Sequence, residues 1–230
     1  MKGVKILIGF LTLFSLLSAA NLGYIIDKSS KKLNTKQPKA KYHFTAIEKS
    51  LLQEGDIVMR RGYGVVSSMI SNMNDATYNL SHCAFIVKDP YGRFSVIHSV
   101  SNDLSDVDGV QSEPLDQFTN QSVRGTIVVI RHKGGDTLIG KQIAESARNY
   151  LKQEIKFDHH FDLSDSSTFY CSELIYRVYG DVYHEDYFPE RHKTKHPDFL
   201  TFPAFMDSTK FDLIINHQGE QVGKYFPSQK

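Results

Sequence analysis

Downstream of position 44, short apolar runs alternate with turn residues in a way that predicts strands first and helices later. Phe44 to Leu52 has the spacing of a short amphipathic helix, and Glu54-Gly55-Asp56 then turns into an apolar strand, Ile57-Val58-Met59-Arg60. Val66, Met69 and Ile70 suggest one or two helical turns between Ser67 and Met73. The clearest β signal follows. His82 to Lys88 and Phe94 to Val100 are apolar runs separated by Asp89-Pro90-Tyr91-Gly92, a turn in which proline presets φ and glycine accepts the exit geometry, so the two runs predict a hairpin. Thr126 to Arg131 is a β-branched strand ended by Gly134-Gly135. From Leu138 to Glu154 the period changes to helical, with Ile139, Ile143, Ala147, Tyr150 and Leu151 on one face. A polar loop leads to Cys171, after which Leu174, Ile175, Val178 and Tyr179 predict a helix closed by Gly180 as its C-cap. An irregular stretch from Pro197 ends in a last strand, Phe211 to Ile215. Hairpins dominate a mixture of strands and helices, which defines an α+β class.

The N-terminus changes the picture of location. Lys2 and Lys5 precede an apolar run from Ile6 that closes on Ser18-Ala19-Ala20, the order expected of a signal peptide. Leu22 to Ile26 extends that run toward the ~20 residues that span a bilayer, so residues 1–26 read as a signal peptide or an N-terminal membrane anchor. Both readings export the rest, to the periplasm or cell envelope. Residues 27–43, rich in lysine, read as a polar linker, and residues 44–230 as one domain.

Composition adds little beyond this. The 230 residues are 40% hydrophobic and 23% charged, enough for one substantial core, and a net charge of +1 does not point to nucleic acid. Of the ten histidines, His159 and His160 lie beside Asp158 and Asp162, with His184, His192 and His196 later; none has zinc-ligand spacing, and no metal or other cofactor is expected.

The chemistry lies in two cysteines and the hairpin. Cys171 falls at the first turn of a predicted helix, where free N–H groups and the helix dipole favour a thiolate and can hold an oxyanion. Alternation along the strand puts His82 on a face with Ala84 and Ile86, and Cys83 on the other with Phe85 and Val87, where it reads as core. His98 shares a face with Val96 and Val100. An odd hairpin loop such as Asp89-Pro90-Tyr91 sets His82 directly opposite His98, with Cβ atoms about 5 Å apart, so that one ring can orient the other. An even loop points His98 away. The predicted triad is Cys171 as nucleophile, His82 as base and His98 as orienting group. A disulfide between Cys83 and Cys171 is the competing, inert reading. Glu173 reads as a residue that caps or pairs near the helix start, and Ser81 and Ser172 as bystanders without a base of their own.

Taken together, Gly55-Asp56-Ile57-Val58, Ser81-His82-Cys83-Ala84-Phe85-Ile86-Val87, Val96-Ile97-His98 and Tyr170-Cys171-Ser172-Glu173-Leu174-Ile175 resemble the YiiX-like branch of the permuted papain-like (NlpC-related) cysteine hydrolases, with lecithin–retinol acyltransferase a more distant relative. The resemblance covers most of Leu51 to Ile215. It implies a circularly permuted papain-like fold, with an antiparallel sheet packed on helices and the nucleophile at a helix N-terminus. It also implies an amidase or peptidase acting by acyl transfer in the cell envelope, on peptidoglycan-like peptides or small amides. Two positions depart from the pattern. The third triad residue in YiiX-like proteins is often Glu, where this chain has His98. Relatives often carry Tyr where this chain has Phe157. The alternatives are a lipid-directed acyltransferase or thioesterase, which an N-terminal anchor would suit, and a non-catalytic envelope binding module. A small peptide, amide or lipid-like substrate is expected, with possible membrane attachment through residues 6–26 and no nucleic-acid partner.

Overall fold

The computed structural model describes residues 41–73, 78–134, 137–190 and 200–226. Residues 1–26, expected to be a signal peptide or anchor, most of the lysine-rich stretch after them, His192 and His196 lie outside the described residues.

Thr45 opens the first helix, α1 (Ala46–Leu51), with a capping box in which its hydroxyl and the Glu48 side chain each satisfy the other's amide. The chain then turns at Gly55 (φ +87°) into β1 (Ile57–Arg60). A Cβ on Gly55 would stand 2.5 Å from the carbonyl oxygen of Gly140, and one on Gly140 would stand 2.3 Å from that of Glu54. Two glycines thus let the fourth helix lie directly on the turn. Asp56, the next residue, is buried and held by Gln53 N–H at 2.8 Å and by Arg131 at 2.7 and 2.9 Å. The Gly-Asp pair is therefore a structural joint between β1, the strand that carries Arg131 and the helix layer.

After α2 (Gly64–Met73) come β2 (His82–Lys88), β3 (Phe94–Val100), β4 (Gly109–Pro114), α3 (Leu115–Asn120), β5 (Val128–His132), α4 (Thr137–Lys152), α5 (Cys171–Tyr183), a 3-10 turn (Phe202–Phe205), β6 (Phe211–Asn216) and α6 (Glu220–Gly223). The strands form one antiparallel sheet in the order β4-β3-β2-β1-β5-β6. Alternation divides their side chains between two cores. Ile57, Met59, Cys83 and Phe85 meet Ile143 and Ala147 of α4 and Leu174, Ile175 and Val178 of α5. Val58, Ala84, Ile86 and Val96 face Leu115 and Phe118 of α3 on the opposite side.

Three expectations need correction. The β2–β3 loop is odd but longer than expected: Phe85 pairs with Ile97 and Lys88 with Phe94. Asp89 causes this, because its carboxylate accepts the amides of Tyr91 and Arg93, both at 2.9 Å, and widens the loop to Asp89–Arg93. His82 and His98 therefore share a face but sit on a diagonal rather than opposite each other. Gly180 does not end α5. The helix runs on to Tyr183 and is closed by His184 at φ 56°, because Tyr179 and Tyr183 stack (centroids 5.7 Å) and Tyr187 packs on both. Finally, β4 and α3, absent from the expected elements, form one edge of the sheet and much of the second core. Among the described residues, no helix is long and apolar enough to cross a membrane.

Candidate active site

Cys171 is the first residue of α5, following Tyr170 at the N-cap. Glu173, at the third helical position, accepts the Tyr170 amide and pairs with Arg177 at 2.8 Å, so it caps and pairs, as the sequence predicted. Burial pushes its carboxyl up to about 7, against the pull of Arg177. The turn before the helix is braced on three sides. Ser99 of β3 donates to the Phe169 carbonyl at 2.5 Å. Tyr170 Oη accepts the Leu200 amide at 2.9 Å, and Ser172 Oγ donates to the Leu200 carbonyl at 2.6 Å.

Cys83 and Cys171 are both free thiols. Cys83 is fully buried, as expected of a core residue, but it also touches the Cys171 sulfur. The consequences are opposite for the two. Burial and the neighbouring sulfur push the Cys83 thiol well up, whereas the hydrogen bond from Cys83 outweighs desolvation and lowers the Cys171 pKa, helped by the backbone amides of Ser172 and Cys171. One sulfur stays a donor, which favours the thiolate form of the other.

His82 and His98 come together as predicted, although diagonally: His82 Nε2 lies 2.8 Å from His98 Nδ1, and both rings pack on Phe118 with centroids 5.7 Å away. Burial, together with the Arg60 guanidinium, holds both well below the usual histidine range, His98 at about 3, so both rings are neutral near pH 7. Cys171, His82 and His98 line a single cavity of about 530 Å³, shared with Arg60, Tyr63 and Glu113. Its other walls include Ile70, Leu104, Phe157 and Phe161.

Two residues of this cavity were not singled out from sequence. Arg60 is 9% exposed, lies 4.5 Å over the Phe118 ring, and donates through Nη1 to the Gln121 carbonyl at 2.8 Å. Desolvation lowers its pKa to about 10, while Glu113 and Cys171 hold it up. Glu113 lies on β4, with Oε1 3.6 Å from His98 Nε2. The signal that could have found Arg60 is its place at the end of an otherwise apolar strand. Glu113, in a polar edge strand, carries none.

Of the histidines considered as metal ligands, those described, His159, His160 and His184, are exposed. His159 pairs with Asp108 at 3.3 Å, and buried Asp158 spends its carboxylate on the amides of His160 and Asp162. Among the described residues, no group of three His, Cys, Asp or Glu side chains is placed to hold a metal ion.

Residues 51–196, more than half of the chain, match the model of the permuted papain-like amidase enzymes of the YaeF/YiiX type, the C92 family. The chain belongs to this family. It is accordingly a thiol hydrolase of the papain-like amidase and peptidase class, with the α+β permuted fold that class carries. Among solved structures, this permuted papain-like chain resembles the YiiX metalloprotein of Escherichia coli O157:H7, at 20% identity and a TM-score of 0.56, over 71% of this chain and 97% of that one. That likeness speaks for the fold. No curated protein matches the chain.

Proposed function

We propose that the protein is a cysteine amidase of the cell envelope in which Cys171 is the nucleophile, His82 the base and His98 the group that orients it. The observation that carries this reading is the shared cavity, which a thiol with a lowered pKa at a helix tip and a hydrogen-bonded pair of neutral imidazoles both line. His82 takes the thiol proton as sulfur attacks the carbonyl carbon of an amide. The amides at the start of α5 hold the oxyanion, and His82 returns the proton to the departing amine. Water, deprotonated by His82, then cleaves the thioester, releasing the acid and regenerating the thiol. The export pattern of residues 1–26 supports an envelope location and so a substrate such as a peptidoglycan-type peptide.

A second reading, transfer or hydrolysis of lipid acyl groups, has one observation in its favour. Leu104 (43%) and Phe161 (39%) remain exposed at the cavity, as a surface for an acyl chain would be.

The test is alkylation of Cys171 by iodoacetamide across pH, followed by a hydrolysis assay on peptidoglycan peptides and on acyl lipids. The proposal expects rapid labelling near neutral pH that falls about 100-fold or more in His82→Ala, and turnover of the peptides. Labelling equal to that of a free thiol, unaffected by His82→Ala, would overturn it. Lipid turnover alone would transfer the site to the second reading.

A further inference from the structure

A histidine pair is useful to a thiol only if its protons sit on the right nitrogens. His82 Nε2 and His98 Nδ1 share one hydrogen bond at 2.8 Å, so one of these nitrogens carries the proton and the other accepts it. If His98 Nδ1 carries it, His82 must offer its Nε2 lone pair. A neutral His82 then has its own proton on Nδ1 and no remaining lone pair for a thiol. If His82 Nε2 carries the proton, Nδ1 is free to act as the base. Something must choose between these arrangements.

Two buried atoms at the far end of the pair have no hydrogen-bond partner among the described residues: His98 Nε2 and Glu113 Oε1. They face each other at 3.6 Å. Of the polar groups nearby, Gln117 also bonds Glu113, and Arg60 keeps its Nε buried without a partner. Arg60 spends Nη1 and Nη2 on Gln121, and Gln121 Nε2 approaches the other Glu113 oxygen, at 3.4 Å. An unpaired donor and an unpaired acceptor this close in a buried site need a side-chain shift of a few tenths of an ångström to bond, and leaving both unmet is unfavourable.

We propose that Glu113 is a positioning residue for the histidine pair, fixing both tautomers by accepting the proton of His98 Nε2. This rests on the amidase reading given above. With Nε2–H committed to the carboxylate, His98 Nδ1 can only accept, His82 Nε2 must donate, and His82 Nδ1 is left with its lone pair. The arrangement needs an ionised carboxylate. Protonated Glu113 would donate to His98 Nε2 instead and reverse every proton along the chain, disarming His82. Glu113 is placed for such a role, since burial raises its pKa while Arg60 opposes that rise. The charged and titratable groups of the cluster are Arg60 from β1, His82 from β2, His98 from β3 and, through Arg60, Cys171 from α5; Gln117 of α3 and Gln121, the C-cap of that helix, are neutral partners.

The experiment is ¹⁵N-histidine NMR of the full chain at pH 7, alongside Cys171 alkylation across pH, for the wild type, Glu113→Gln and Glu113→Leu. The proposal expects His82 and His98 of the wild type each to be protonated at Nε2 with a bare Nδ1. The leucine variant should lose that fixed assignment and alkylate at least about tenfold more slowly. The glutamine variant, whose carbonyl still accepts, should recover both the assignment and most of the rate, and should lose the acidic limb that Glu113 gives the wild-type pH profile. A wild-type His98 protonated at Nδ1 would overturn the proposal without any variant. So would an unchanged assignment in Glu113→Leu. Alkylation that ignores His82 would instead defeat the amidase reading and leave the tautomer result standing.

Discussion

Arg60 stands directly opposite His82 in the β1–β2 register, so a fixed positive charge is paired, strand to strand, with an imidazole that must stay neutral. The same guanidinium lowers the proton affinity of His98 and is itself held up by Cys171. One buried cation thus discourages protonation of both rings while favouring ionisation of the Cys171 thiol.

Removing this charge should loosen both effects. In Arg60→Met, the midpoint of Cys171 alkylation against pH is expected to rise by about one unit or more, with the histidine titrations moving up too; Arg60→Lys should stay near wild type. Rapid-quench alkylation read by mass spectrometry checks this. An unmoved midpoint in Arg60→Met would show that the guanidinium acts only as packing over Phe118.

Cys83 should matter to the same midpoint from the other side of the sheet. Cys83→Ala removes the S–H donor from the Cys171 sulfur, so the alkylation midpoint should rise, with a stability loss of about 1 kcal/mol for the small void. Cys83→Ser keeps a donor and should fall between. If both variants alkylate like the wild type, the contact between the two sulfurs does not tune the thiol.

Acid should destabilise the fold through the histidine pair. Both rings bind protons more weakly folded than unfolded, so the stability they confer is complete above pH 6.5 and drains away as pH falls, for His98 toward about 3. Each loses about 1.4 kcal/mol per pH unit within that window. Glu173 works in the reverse sense: its carboxyl, raised to about 7, contributes stability below about 4.5 that is lost as pH rises through 7. Between pH 4.5 and 6.5 each histidine adds an upward slope of stability with pH, which the raised carboxyls of Glu173 and Glu113 oppose. Urea midpoints across this range should lose part of that upward slope in His98→Gln. Equal slopes in variant and wild type would mean that His98 is already protonated in the folded protein.

The joint between α4 and the β1 turn gives a purely structural forecast. Gly140→Ala forces a Cβ to within 2.3 Å of a backbone oxygen and should lose about 2 kcal/mol or more, whereas Gly92→Ala, whose Cβ would meet nothing within 4 Å, should lose only about 1 kcal/mol for its φ of +76°. Denaturant melts of the two variants compare them directly. Similar losses would mean that the helix slides off the turn at little expense.

Much of this was readable in the chain before any coordinates. β2 and β3 announced themselves because their apolar runs are continuous and their turn carries Asp-Pro-x-Gly, and an odd loop, one of two parities left open, put His82 and His98 on one face. The diagonal between them was not readable, since it depends on the Asp89 side chain closing a wider loop. Cys171 was placed by the apolar period that follows it. Its contact with Cys83 was hidden because it joins a helix tip to a strand far away in sequence. Gly109-Val110-Gln111-Ser112-Glu113-Pro114 escaped notice for a different reason: an edge strand with one large apolar residue looks like a loop, and so its glutamate looked like a surface charge.

The grip of Tyr170 and Ser172 on Leu200 has a bearing on when the protein becomes active. The two residues on either side of the reactive sulfur are tied to the amide and the carbonyl of a single residue, Leu200, 30 and 28 positions further along the chain. A nascent chain that has emerged only through α5 holds every member of the Cys-His-His set, yet lacks the strut that aims its sulfur. The aim of the sulfur therefore waits for Leu200 to dock beside it.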